Sequence, residues 1–216
     1  MKLKFTIEAI EYEKTFLTIY PQIKDKLWER LGDGLVGRLL AKMGSDSERL
    51  VVKLLGLLNN NDKNTLVAYG ANNYKEKWLP KLQEALVAHK LGRYVQVGDI
   101  VLDQEGGNLA VYVELSNWDA KLILQQLGGL GGLTTAFLSA EKLNKLFVQA
   151  LDTSLTQATI LAMINKALKE QGIYMQVSSM QRLEDSVPMP AYAKELPEDL
   201  KERLLEAGAG YMRKLL

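Results

Sequence analysis

RYVQVGDIVLDQEGGNLAVYVEL, residues 93–115, carries two runs rich in Val, Ile, Leu and Tyr on either side of QEGGN. Two β-rich runs around a Gly-containing turn are the mark of an antiparallel hairpin. The predicted strands are 93–103 and 109–115, with Val111 and Val113 turned to the core and Tyr112 and Glu114 to the other face. If Val95 and Val97 point inward, strict alternation sends Ile100 and Leu102 outward. One extra residue brings them back, and Gly98 is placed to supply it as a bulge.

A lone hairpin is marginal in water, so this one needs further strands. Leu3, Phe5 and Ile7 alternate with Lys2, Lys4 and Thr6, which predicts a strand over 2–9, and IYMQVSSM predicts another at 173–180. Between them the period lengthens to that of helices. Phe16, Ile19, Tyr20, Ile23, Leu27, Trp28 and Leu31 recur three or four apart, divided at Pro21. Helices are also expected at 35–43, at 46–59 and at 64–72, and through KEKWLPKLQEALVAHKL with a kink or restart at Pro80. Ser45 and Glu48 have the capping-box spacing, as do Ser116 and Asp119 before WDAKLILQQL. LVVKLLGLL, 50–58, is apolar nearly all round, which predicts a central helix; NNND, 59–62, reads as a breaker. Longer helices follow near 135–150 and 154–171, the second closed by Gly172.

The expected fold class is therefore α+β: a helix-rich N-terminal half, a small antiparallel sheet built around the 93–115 hairpin, and helices packed on one face. Residues 1–185 are expected to form this core. Residues 186–216 begin with the proline-bearing SVPMPAYAKELP, an extended connector, and end in a helix. Along that helix Leu200, Leu204, Ala207, Tyr211 and Leu215 form one stripe, widened by Leu205, Met212 and Leu216. Such a face must dock on its own core or on another copy of the chain. Leu200, Leu204, Tyr211 and Leu215 are the candidate interaction residues, and a homo-oligomer through 197–216 is one outcome.

GRYVQV at 92–97 and GIYMQV at 172–177 share Gly, Tyr, Gln and Val, each directly after a predicted helix. A duplicated unit and a common requirement of helix-to-strand junctions both account for the echo.

Composition narrows the chemistry. The chain has 216 residues, 47% apolar and 25% charged, with a formal charge of +1. Its basic residues are not clustered, which argues against nucleic acid as a partner. With no Cys and one His, disulfides, thiolate sites, Cys nucleophiles and sites of several histidines are excluded. No metal and no cofactor is expected. The N-terminus alternates in polarity and lacks the apolar stretch of a signal peptide, so a cytoplasmic chain is expected. No run of about 18 apolar residues is present to span a bilayer.

Several segments carry site-like patterns. GDGLVG, Gly32–Gly37, has the letters of a dinucleotide loop but follows a charged helical stretch rather than a strand, so it reads as punctuation between helices. Leu127, Gly128, Gly129, Leu130, Gly131, Gly132 and Leu133 form an apolar glycine loop between helices: a close helix crossing, a ligand-gating loop or a membrane-dipping one. His89 sits near a helix end with no accompanying catalytic signature. Asp99, Asp103, Glu105 and Glu114 line the hairpin without the spacing of a metal loop. Tyr69, Tyr74 and Trp78 suggest a partly buried helix face.

No catalytic residues are assigned. The leading reading is a non-enzymatic binding or interaction module, holding a small apolar or amphipathic ligand between helices and sheet, or a protein partner. An enzyme using carboxylates with His89, and a peripheral membrane protein using 127–133, are the alternatives.

Overall fold

Four segments with a two-residue period pair into one sheet in the computed structural model, which describes residues 1–18, 21, 47–88, 94–126 and 138–215. They are β1 (Lys2–Glu8), β2 (Val95–Glu105), β3 (Asn108–Trp118) and β4 (Gln176–Leu183). The spatial order is β2-β3-β1-β4, every neighbour antiparallel. Among the described residues the helices are α1 (12–18), α2 (Ser47–Leu57), α3 (Asn60–Asn73), α4 (Lys75–Ala88), α5 (Ala120–Gln126), α6 (Ala140–Leu151), α7 (Ser154–Glu170) and α8 (Glu198–Leu215). The fold is α+β. Strand, helices, hairpin, helices, strand in this sheet order is the connectivity of a split β-α-β arrangement, as in ferredoxin-like proteins, with several helices in place of one. A connectivity of that kind hosts many functions and names none.

The hairpin turns on Gly106 and Gly107, whose φ values of 55° and 92° suit a two-residue turn that side chains disfavour. β3 runs longer than the sequence pattern suggests, and β2 is displaced two residues along the chain from the expected 93–103, so the pairing spans from Glu105/Asn108 at the turn to Val95/Trp118 at the other end. Leu3, Phe5, Val113, Val95 and Val97 pack with Leu143, Phe147 and Leu151 of α6. Ile7, Leu109, Val177 and Leu102 pack beside them with Ala68 of α3 and Ile164 and Leu168 of α7. The other face presents Lys4, Tyr112 and Glu114. Val111 and Val113 are half-buried rather than fully buried, but they lie on the core side as the alternation requires. The bulge falls where Gly98 predicts it: Val97 faces Leu115 and Asp99 faces Glu114, leaving Gly98 over. Ser116 is a compensating extra residue on β3, so the register recovers.

The echo of sequence corresponds to an approximate two-fold axis through the Lys4/Tyr112 pair. Leu3 faces Arg182 on β4 as Val111 faces Leu102 on β2; Phe5 faces Met180 as Val113 faces Ile100; Ile7 faces Val177 as Leu115 faces Val97. The pairing of β4 skips Ser178 just after Val177, as that of β2 skips Gly98 just after Val97. The Tyr94 carbonyl accepts the Asp119 N–H at 2.7 Å, and the Tyr174 carbonyl accepts the Glu11 N–H at 2.9 Å. Residues 94–97 and 174–177 thus take matching places in the two β-α-β halves.

Other expectations shift in register or role. β4 starts at Gln176, not 173, because Gly172 and Ile173 close α7: Gly172 N–H bonds the Lys169 carbonyl at 3.0 Å and Ile173 N–H that of Leu168 at 2.9 Å, with Gly172 at φ 71°. NNND starts a helix as well as ending one. The Asn59 side chain accepts the Asp62 N–H as N-cap, and α3 begins at Asn60. Ser116 lies in β3, so Asp119 alone caps α5, accepting the Leu122 N–H at 3.0 Å. α4 runs through Pro80 without a break, and α6 begins at Ala140. α2 is not central: Leu57 is 66% exposed, since this helix meets α8 rather than being enclosed on all sides.

The start of α3 ties the surrounding elements together. Asp62 pairs with Arg203 of α8 at 2.7 Å, Lys63 with Glu13 of α1 at 2.7 Å, and Asn64 Nδ2 donates to the Gly107 carbonyl of the hairpin turn at 2.8 Å. Tyr12 Oη donates to Asn64 Oδ1, and burial pushes the Tyr12 pKa up to about 12. Residues 186–197 hold no helix or strand, and the connector is tied by Lys2 Nζ to the Val187 carbonyl and by Asn73 Nδ2 to that of Ala193. Leu200 then buries all but 1% of its surface. No described helix is long and apolar enough to cross a membrane.

Candidate functional site

A cleft of about 730 Å³ opens where the hairpin ends away from its turn. That volume is in the range of small-molecule sites. Its formation follows from chain geometry: β2 enters from α4 at Tyr94, β3 leaves at Trp118 and turns at once into α5, and α6 crosses in front. The Asp119 N–H on the Tyr94 carbonyl holds entry and exit together. Leu143 and Ala120 are buried at its floor, with Val95, Leu138 and Trp118 half-buried beside them. Gln83, Gln96, Asn117 and Asn144 bring amides from α4, β2, β3 and α6.

Within this wall one group is anomalous. Trp118 Nε1 is buried and finds no acceptor among the described residues. An unmet donor of that kind costs roughly 1–3 kcal/mol, and the nitrogen itself is closed off from the open space of the cleft. Gln83 has half its capacity committed, since its Oε1 accepts the Val97 N–H at 3.1 Å on the free edge of β2. Asp119 is engaged as the α5 cap, and Lys121 is the cation that offsets it at the rim.

The hairpin acids do not converge on this cleft. Glu105 accepts from Lys4 Nζ at 2.5 Å and from Tyr112 Oη, and Lys4 in particular holds its carboxyl below the usual range. Asp99 pairs with Lys75 at 2.7 Å. No cluster of three or more acids or His suited to a metal occurs among the described residues. Tyr74 is 55% exposed at the break between α3 and α4, so it and Trp78 are not one buried face; the Trp78 Nε1 donates to the Ala71 carbonyl at 2.7 Å.

Gly32–Gly37, His89 and the whole loop from Leu127 to Leu133 lie outside the described residues. Of the helix candidates, Leu200 is buried and Leu204 half-buried, whereas Leu205 is 73% exposed and does not widen the buried stripe. The side chains of Tyr211 and Leu215 lie outside the description too. The cleft residues Gln83, Gln96, Asn117, Trp118 and Asn144 escaped sequence reading because they share no spacing. The nearest signal was NWD at 117–119, directly at a strand-to-helix junction. Comparison of the chain with family models, with curated proteins and with solved structures finds no match in any of the three.

Proposed function

We propose that this chain is a binding module for a small amphipathic ligand, held in the cleft between the open end of the hairpin and α6. A cleft of about 730 Å³ that joins an apolar floor of Ala120 and Leu143 to amide side chains among its lining carries the reading. A purely apolar ligand would strand the amides, and a strongly charged one would find Asp119 and Lys121 cancelling. Amides neither release nor take up protons near neutral pH, which suits retention of a ligand rather than its conversion.

A thermal-shift and native mass spectrometry screen of chemically diverse small molecules tests it, with Asn144→Trp to fill the cleft from its exposed rim. The expected result is a compound that binds the native chain and is lost from the variant, whose own melting temperature is unchanged. Binders that ignore the Asn144→Trp change, or a screen without binders, would overturn the reading.

A further inference from the structure

We infer that the outer edge of β4, residues 179–183, docks β4 of a second copy of this chain, paired antiparallel about a two-fold axis at Gln181. Register decides which backbone groups are free. Met1 exchanges both backbone bonds with Leu115, so Leu3, Phe5 and Ile7, of the same parity, also turn N–H and C=O toward β3. Their partners on β4, which are Arg182, Met180 and Val177, therefore turn theirs away from β1 to the outer edge. Asn165 of α7 satisfies Val177. The N–H groups of Met180 and Arg182 meet no acceptor among the described residues.

The β2 edge is closed far more fully. Its outward N–H groups are accepted by Gln83 at Val97 (3.1 Å), Asp99 at Ile100 (2.8 Å), Asn72 at Leu102 (2.9 Å) and Asp103 at Gln104 (2.8 Å). β4 has no such guard beyond Val177, and its outer-face residues Ser179, Gln181 and Leu183 carry no charge to deter a strand.

Self-complementarity selects a second copy as the occupant. An axis at Gln181 sets Met180 of each copy opposite Arg182 of the other, so both open residues are used, four backbone hydrogen bonds form and no like charges are opposed. Arg182 is already paired with Asp152 at 2.6 Å, and a formal charge of +1 gives two copies little repulsion. α7 adds an uncovered apolar face beside this edge: Leu155, 79% exposed, with the exposed Ala158 and Ala162. At 3.6 residues per turn these three lie beyond Asn165, on the side away from the core-facing Leu161, Ile164 and Leu168. Because Asn165 already reaches the edge, that face projects past it. Asp152 at Arg182 and Asn165 at Val177 bracket Ala158 beside the middle of the strand, so the same axis brings the two α7 helices together. The interface lies on the opposite edge of the sheet from β2 and is independent of ligand binding in the cleft.

Sedimentation of the full chain over a concentration series tests the pairing. The native protein should dimerise. Arg182→Pro deletes two of the four hydrogen bonds without touching the ladder to β1, so it should raise the dissociation constant about 30-fold, whereas Arg182→Ala should leave it nearly unchanged. Ala158→Glu, at an exposed position, should weaken the dimer at an unchanged melting temperature. The chain has no Cys, so Gln181→Cys supplies a second reading: the two residues 181 would lie about 4.5 Å apart between Cα atoms, within disulfide range. Mild oxidation should link two copies through Gln181→Cys and not through Gln96→Cys on β2. A chain that stays monomeric, a dimer indifferent to Arg182→Pro and Ala158→Glu, or equal cross-linking at the two cysteine positions overturns the inference.

Discussion

Asn72 grips the backbone of Leu102 from both sides: its Nδ2 donates to the Leu102 carbonyl at 2.7 Å, and its Oδ1 accepts the Leu102 N–H at 2.9 Å. At the opposite edge of the sheet Asn165 does the same to Val177, at 3.0 and 2.8 Å. An edge strand exposes unpaired backbone groups that invite another chain, and here a helix amide closes each edge at one residue. The two sides of the molecule solve one problem with one residue type.

Asn72→Ala leaves two backbone groups and loses two hydrogen bonds at a site only 4% exposed, so it should cost about 2–4 kcal/mol. Asn165→Ala, half-buried, should cost less. Because they lie on opposite edges, the double variant should be additive to within about 0.5 kcal/mol in denaturant unfolding. Strong non-additivity would show that the edges communicate through the sheet.

Gly172 and Gly98 respond differently to a methyl group. At Gly172 the φ of 71° disfavours any side chain, and a Cβ would lie 2.2 Å from Thr18 Cγ2. Gly172→Ala should lose at least about 2 kcal/mol, part of it recovered by Thr18→Ser. At Gly98 a Cβ meets the Ser116 Cβ at 3.2 Å, and Ser178 carries a side chain at the equivalent bulge. Gly98→Ala should stay within about 1 kcal/mol of the native chain. Equal losses at both positions would contradict this account of the bulge.

α8 holds to the core through its first turns. Leu200→Ala should cost about 2–5 kcal/mol, whereas the exposed Leu205→Ala should change stability by no more than about 0.5 kcal/mol. Truncation at Ser186 removes Leu200 and Arg203 together and should raise dye binding. A truncated chain with unaltered melting and dye binding would refute the docking.

The pH dependence has two limbs. Hydrogen bonds from Lys4 to Glu105 and from Lys63 to Glu13 depress the two carboxyl pKa values, so their stabilisation is present above 4.5 and is lost as pH falls toward the folded values. Glu105→Gln and Glu13→Gln should flatten the acid limb of a melting curve taken from neutral pH downward. Tyr12 is shifted the other way, to about 12, so its contribution is present below 10.0 and is lost as pH rises through the interval between. Burial raises Tyr112 as well, so ultraviolet titration of the nine tyrosines should show a late fraction that Tyr12→Phe diminishes and Tyr112→Phe reduces further.

The strands, the turn, the Gly98 bulge and the Gly172 helix closure are legible in the sequence because each rests on side-chain period or on a glycine's access to positive φ, which are local properties. Fold class follows from the same patterns: helical stretches lie on both sides of a hairpin that needs more strands. The start of β4 was displaced because Gly172 and Ile173 spend their N–H groups on α7, and the NNND tract changed from breaker to helix start because Asn59 found Asp62. Tertiary structure alone decided the rest. The amides that meet in the cleft come from separate elements, and Asn72 and Asn165 acquire their roles only when a strand edge lies beside them. The two-fold relation, too, emerges from which strands pair and in what register. Hydrogen-bond partners far apart in the chain leave no periodic trace in it, so proximity in space, not spacing in sequence, selects them.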